Sequence, residues 1–86
     1  MRSQLLSARA AALFASDLPT GSRLTQSDVD ATIAASVRAC GGTRGCVAIM
    51  AAAYGDYPET AAPRMRWALY LVAARREEPD KHLIAA

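Results

Sequence analysis

Cys40 and Cys46 are the chain's only thiols, and they flank the run Gly41-Gly42-Thr43-Arg44-Gly45. Three readings of the pair stay open. Both side chains can serve as small buried hydrophobes. They can close a short disulfide loop, because the two glycines free the backbone for the turn that such a loop needs. Cys46 can also be a reactive thiol: it stands in the first turn of a helix near Arg44, and both features lower a thiol pKa. A metal site is not expected. Zinc takes three or four ligands, and the one histidine, His82, lies in the C-terminal segment.

No other catalytic constellation appears. Asp28 and Asp30 read as helix-capping acids, and Glu77 and Glu78 as part of a solvated end. There is no Gly-rich phosphate loop and no nucleophile elbow. The chain reads as a non-enzyme with no cofactor and no evident small-molecule substrate. Two groups of side chains remain for binding. Arg44, Arg64 and Arg66, with Tyr57 at a groove edge, are candidates for nucleic-acid contact. Arginines also lay their stems on apolar surface with the head in water, or face an acidic protein partner. Trp67, Tyr70 and Leu71 are candidates for an interface, since Trp and Tyr combine large area with one polar tip; the aromatic pair could also stack on a base.

The elements that position these residues are helical. The hydrophobic fraction is 52 %, and much of it is Ala, the best helix former and a poor strand former. No stretch alternates as a strand would. The 86 residues make one small all-α domain. Basic residues exceed acidic ones by two, and nine of the ten are Arg. That balance permits nucleic-acid binding without demanding it. No apolar run is long enough to span a membrane. Residues 1–16 have a faint look of a targeting peptide, but Arg9 interrupts their apolar stretch and the spacing fits a helix face. The expectation is a cytoplasmic protein with reduced thiols.

Four helices are expected. The first covers residues 1–15, with Leu6, Ala10, Leu13 and Phe14 on one side. A loop from Ser16 to Leu24 carries Pro19 and Gly21. The second covers 25–40, opens on a Thr25/Asp28 capping box, and buries Val29, Ile33, Ala34, Val37 and Cys40. Gly41-Gly42 ends it. The third starts after Thr43, buries Val47, Met50, Ala51 and Tyr54, with Cys46 and Ile49 toward its flanks, and stops at Gly55. The fourth starts between Pro58 and Thr60 and runs to about Arg76, burying Ala61, Met65, Ala68, Leu69 and Val72. Trp67, Tyr70 and Leu71 make it apolar nearly all round, which points to a homodimer through this helix. Residues 77–86 form a tail broken at Pro79.

The run Met50-Ala51, Tyr54-Gly55, Pro58-Glu59-Thr60-Ala61, Arg64-Met65 and Ala68 resembles the helix-turn-helix of sigma-factor promoter-reading domains and response-regulator output domains. In that family a small Ala precedes the turn Gly by four residues, a Thr and a small residue open the second helix, and a basic-hydrophobic pair and a further small residue follow. Ala51, Gly55, Thr60, Ala61, Arg64, Met65 and Ala68 match. The resemblance covers residues 50–68 and implies a helix-turn-helix-like unit over 43–76 and a DNA-binding regulator. The departures fall on the reading surface. Only Arg66 is a good reader there, Asp56 and Glu59 repel phosphates, and Pro63 is interior if Pro58 is the first helical residue. As a whole the chain also resembles short, uncharacterised helical proteins of actinobacteria, which implies no activity. The sequence thus supports a compact four-helix module, either DNA-associated or devoted to protein interaction and homodimerisation without nucleic acid.

Overall fold

A computed structural model describes the backbone of residues 2–85 and the side chains of residues 5–74. The chain is all-α, with four helices and no strand among the described residues: α1 (Arg2–Phe14), α2 (Gln26–Cys40), α3 (Thr43–Asp56) and α4 (Pro58–Ala85). α4 packs against all three others and most extensively against α1.

α1 buries its last turn on every side. Ala10, Ala11, Ala12, Leu13 and Phe14 are all nearly inaccessible, whereas Leu5 at the other end is exposed. α2 begins as its sequence dictates. The Asp28 N–H donates to Thr25 Oγ1 (3.1 Å), and the Thr25 N–H donates to Asp28 Oδ2 (3.2 Å). Val29 and Ile33 are buried, and Ser36 rather than the expected Ala34 continues the stripe. Gly41 closes the helix in the left-handed conformation (φ 77°), its N–H turned to the carbonyls of Arg38 and Val37.

α3 departs most from expectation. Gly55 is not its stop. The helix continues through Gly55 to Asp56, and its N–H ladder ends where the Tyr57 N–H donates to Ala53 O (2.7 Å). The expected buried face is also displaced. Val47, Ala51 and Tyr54 are exposed, Met50 is half-buried, and Cys46 is the fully buried residue. Gly45 supplies the reason. A Cβ there would be driven into the carbonyl oxygen of Cys40 and would lie 3.1 Å from Cys40 Cβ. Only glycine lets the first turn of α3 settle this closely on the end of α2, and that contact turns Cys46 toward the core.

α3 and α4 are joined by one residue, Tyr57, whose carbonyl accepts from the N–H groups of Thr60 and Ala61 and from Thr60 Oγ1. Pro58 is the first residue of α4, so Pro63 stands beyond the first turn. The bond it cannot donate would reach Glu59 O; both residues lie on the exposed side, where water can satisfy that carbonyl. The helix passes Arg76 and Pro79 and ends at Ala85, where the sequence suggested a broken tail. Only one rung is lost at Pro79, and the residues around it, Arg, Glu, Lys and Leu, favour helix. Ala61, Ala68 and Val72 are buried, with Met65, Trp67 and Leu71 packed against the core; Leu69 is exposed.

Candidate functional site

The best-formed polar constellation lies where α1 ends. A helix terminus leaves its last carbonyls without intrahelical donors, and burying them unpaired is costly. Here Ala11 O accepts from the Ala15 N–H, Leu13 O accepts from the Ser16 N–H and from Ser16 Oγ (2.6 Å), and Arg64 reaches across from α4 to the carbonyls that follow. Its Nε donates to Phe14 O (2.8 Å), Nη2 to Ser16 O (2.9 Å) and Nη1 to Thr20 Oγ1 (2.9 Å). The guanidinium lies 5.6 Å from the centroid of the Phe14 ring and 5.0 Å from that of the Trp67 ring. A planar fork can meet three acceptors and an aromatic face together, which an ammonium cannot. Burial lowers the Arg64 pKa below that of a solvated guanidinium. Trp67 Nε1 donates to Ser22 O (3.0 Å), so the same face of α4 holds both ends of the 15–24 loop. No buried side-chain nitrogen or oxygen among the described residues lacks a partner.

This geometry changes the roles available to the residues marked from sequence. Arg64 points inward and does not join Arg44 and Arg66 in an outward cluster. Trp67 is tied to the loop, and Leu71 is half-buried against the core. Tyr70 keeps 71 % of its surface exposed and Tyr57 67 %. Arg44 and Arg66 are exposed too, and neither forms an ion pair among the described residues. Arg9 does: its Nη2 lies 2.9 Å from Asp30 Oδ1. The signal for Arg64 in the sequence was faint. An Arg and a Trp stand three residues apart on one helix, and a short loop elsewhere needs donors for its carbonyls.

No family model, curated protein or solved structure matches the chain. Local geometry alone therefore assigns roles to its residues.

A second constellation lies at the α2–α3 corner. Cys40 is half-buried and Cys46 is fully buried; both are free thiols. Cys46 Sγ donates to Ser36 O (3.6 Å) and lies 3.9 Å from Ser36 Oγ. Burial, followed by the neighbouring Cys40, pushes the Cys46 thiol up from its ordinary 9.0, and the Ser36 contact only partly opposes this. Cys46 is thus a protonated core residue, the reverse of the low-pKa thiol that a helix N-terminus suggested. No group of three His, Cys, Asp or Glu among the described residues is placed to hold a metal ion. No helix among them is long and apolar enough to cross a membrane.

The third feature is the outer face of α4. Glu59, Pro63, Arg66, Tyr70 and Ala73 follow one another at three- and four-residue steps and are all exposed, with Leu69 beside them. It combines apolar area with one acid and one base, two turns apart.

Proposed function

We propose that this protein is a non-catalytic helical interaction module that pairs with a second copy of itself through the outer face of α4. The observation that carries the reading is the exposed stripe along α4, with Tyr70 and Leu69 left uncovered. Glu59 and Arg66 give it self-complementary charge. Antiparallel pairing about a two-fold axis near Ala62 and Pro63 sets each Glu59 against the partner's Arg66. It also carries Tyr70 over the partner's α3–α4 corner, where Tyr57 is exposed. The anchors of this reading are Tyr70 and Leu69, with Trp67 and Leu71 behind them as internal support.

Light scattering over a concentration series tests it. The wild type is expected to form a dimer that Tyr70→Glu dissociates. Glu59→Arg and Arg66→Glu are each expected to weaken the dimer and, when combined, to restore it. A monomer at all concentrations would end the proposal.

A second reading, a DNA-associated regulator with a helix-turn-helix-like α3–α4 unit, is supported by the exposed Arg44 and Arg66, which form no ion pair among the described residues, and by the succession of two helices through Ala51, Thr60, Ala61 and Ala68. Against it stand the inward Arg64, the one-residue junction at Tyr57, and the exposed Asp56 and Glu59. Its test is binding to random duplex DNA at low and moderate salt. Salt-sensitive binding lost in Arg44→Ala/Arg66→Ala would favour it over the first.

A further inference from the structure

The α2–α3 corner carries chemistry that neither reading of α4 uses. We propose that Cys40 and Cys46 form a redox-modification site, in which Cys40 meets the oxidant and Cys46 resolves it by closing a disulfide across the Gly41-Gly42 turn.

Three observations place the two sulfurs in these roles. The first is proximity. Position 45 is pressed against Cys40, so that a Cβ there would come within 2.9 Å of the Cys40 carbonyl carbon and 3.1 Å of Cys40 Cβ. The next residue along is Cys46, whose Sγ lies 3.6 Å from the carbonyl oxygen of Ser36, one turn before Cys40 on α2. The second is unequal access. Cys40, at the last position of α2, is half-buried, whereas Cys46 is 0 % exposed. A dissolved oxidant reaches the first and not the second. The third is that Cys46 is held weakly. Its contacts to Ser36 are long, at 3.6 and 3.9 Å, and sulfur bonds of that length are readily exchanged. Gly41 and Gly42 already have positive φ (77° and 124°), so the turn between the cysteines is bent without strain before any bond forms.

The oxidant class is a hydroperoxide. The Cys40 thiolate attacks the distal peroxide oxygen, the O–O bond breaks, and the alcohol leaves with a proton, giving a sulfenic acid on Cys40. Cys46 Sγ then turns from Ser36 O and attacks the Cys40 sulfur. The S–O bond breaks, and the departing hydroxyl takes the Cys46 proton to leave as water. Two thiols lose two electrons in total, and the hydroperoxide is reduced to alcohol and water. The closed loop is short, and cross-linking it removes freedom from the unfolded chain.

The test uses the purified full chain, treated with stoichiometric tert-butyl hydroperoxide and followed by thiol titration and intact mass. The expected product has no titratable thiol and two hydrogens fewer. It remains a single chain on denaturing, non-reducing gels, melts roughly 5–15 °C higher than the reduced form, and reverts with a dithiol reductant. In Cys46→Ser, oxidation is expected to stop at a Cys40 sulfenic acid that dimedone captures. Surviving thiols, a sulfinic acid on Cys40, or covalently linked chains would each overturn the proposal. A measurement on the unaltered protein covers the case in which that variant does not fold. Iodoacetamide should alkylate Cys40 roughly tenfold faster than Cys46 under native conditions; equal or reversed rates would overturn the assignment of roles.

Discussion

The last turn of α1 and the body of α3 have nearly the same composition and opposite fates. Ala10-Ala11-Ala12-Leu13-Phe14 is almost wholly inaccessible, enclosed by the other three helices and by the Arg64 side chain. Val47 to Tyr54 is at least as apolar, yet Val47, Ile49 and Tyr54 stay exposed and Cys46 alone is fully buried. Hydrophobicity sets how much burial a segment can gain, but how closely its neighbours enclose it sets how much it does gain. α1 ends in the middle of the molecule, where burial is complete only because an arginine satisfies the carbonyls stranded there. α3 also touches all three other helices, yet of its side chains only Cys46 is fully buried, where Gly45 lets the helix settle on the end of α2.

The contrast makes unequal mutational costs its main consequence. Leu13→Ala should destabilise the fold by about 3 kcal/mol, from lost transfer energy and the cavity left behind, whereas Ile49→Ala should cost about 0.5 kcal/mol. Urea unfolding measures both, and similar losses would erase the distinction. Arg64→Ala should cost about 2–3 kcal/mol, because it strands Phe14 O and Ser16 O at a buried helix end. Arg64→Lys should recover less than half of that, since one ammonium cannot reach three acceptors, and Arg66→Ala should lie within about 0.5 kcal/mol of wild type.

The glycines of α3 sharpen the comparison within one helix. Gly45→Ala should cost about 2 kcal/mol, because its Cβ has no room beside Cys40 and backbone must shift. Gly55→Ala should be neutral or stabilise by up to about 1 kcal/mol, since Gly55 is helical and faces open space. The smallest effect concerns pH. The folded-state pKa of Cys46 is raised, so folding favours the protonated thiol; that contribution is complete below the unfolded value near 9.0 and falls away as pH rises beyond it. Stability of the wild type should therefore decline above about pH 9 more steeply than that of Cys46→Ala, as thermal melts across alkaline pH would show.

How much was legible beforehand varies by element. The capping box of α2 and the Gly41 terminus could be read directly, because each depends on residues within one turn of each other. Most of the α2 stripe was readable from spacing, with Ser36 in place of Ala34 as the exception, whereas in α1 spacing showed one side, Ala10, Leu13 and Phe14, of a last turn that is buried all round. In α3 the same method failed, since a helix that is apolar on several sides offers no periodicity to choose among them. Gly45 decided the matter, and its part depends on Cys40 in another helix. Gly55 looked like a stop, but glycine permits a left-handed turn without requiring one.

For the candidate site the division is sharper. Sequence singled out Arg64, Arg66, Trp67 and Tyr70 on α4, and the cysteine pair, because their side chains are the ones with charge, aromatic area or sulfur. It could not tell inward from outward. Arg64 and Trp67 face the α1–α2 loop and bind its carbonyls, while Arg66 and Tyr70 face solvent.

Taken alone, the sequence determined the all-α class, the four helices and the α2 caps, because Ala-rich composition, glycine positions and local hydrogen bonding act over a few residues. The tertiary structure decided which face of α3 is buried, which arginine is consumed as a helix terminator, and which cysteine is shielded. Each of these rests on a contact between residues far apart in the chain — Gly45 on the end of α2, Arg64 on the end of α1 — and local spacing carries no record of such contacts.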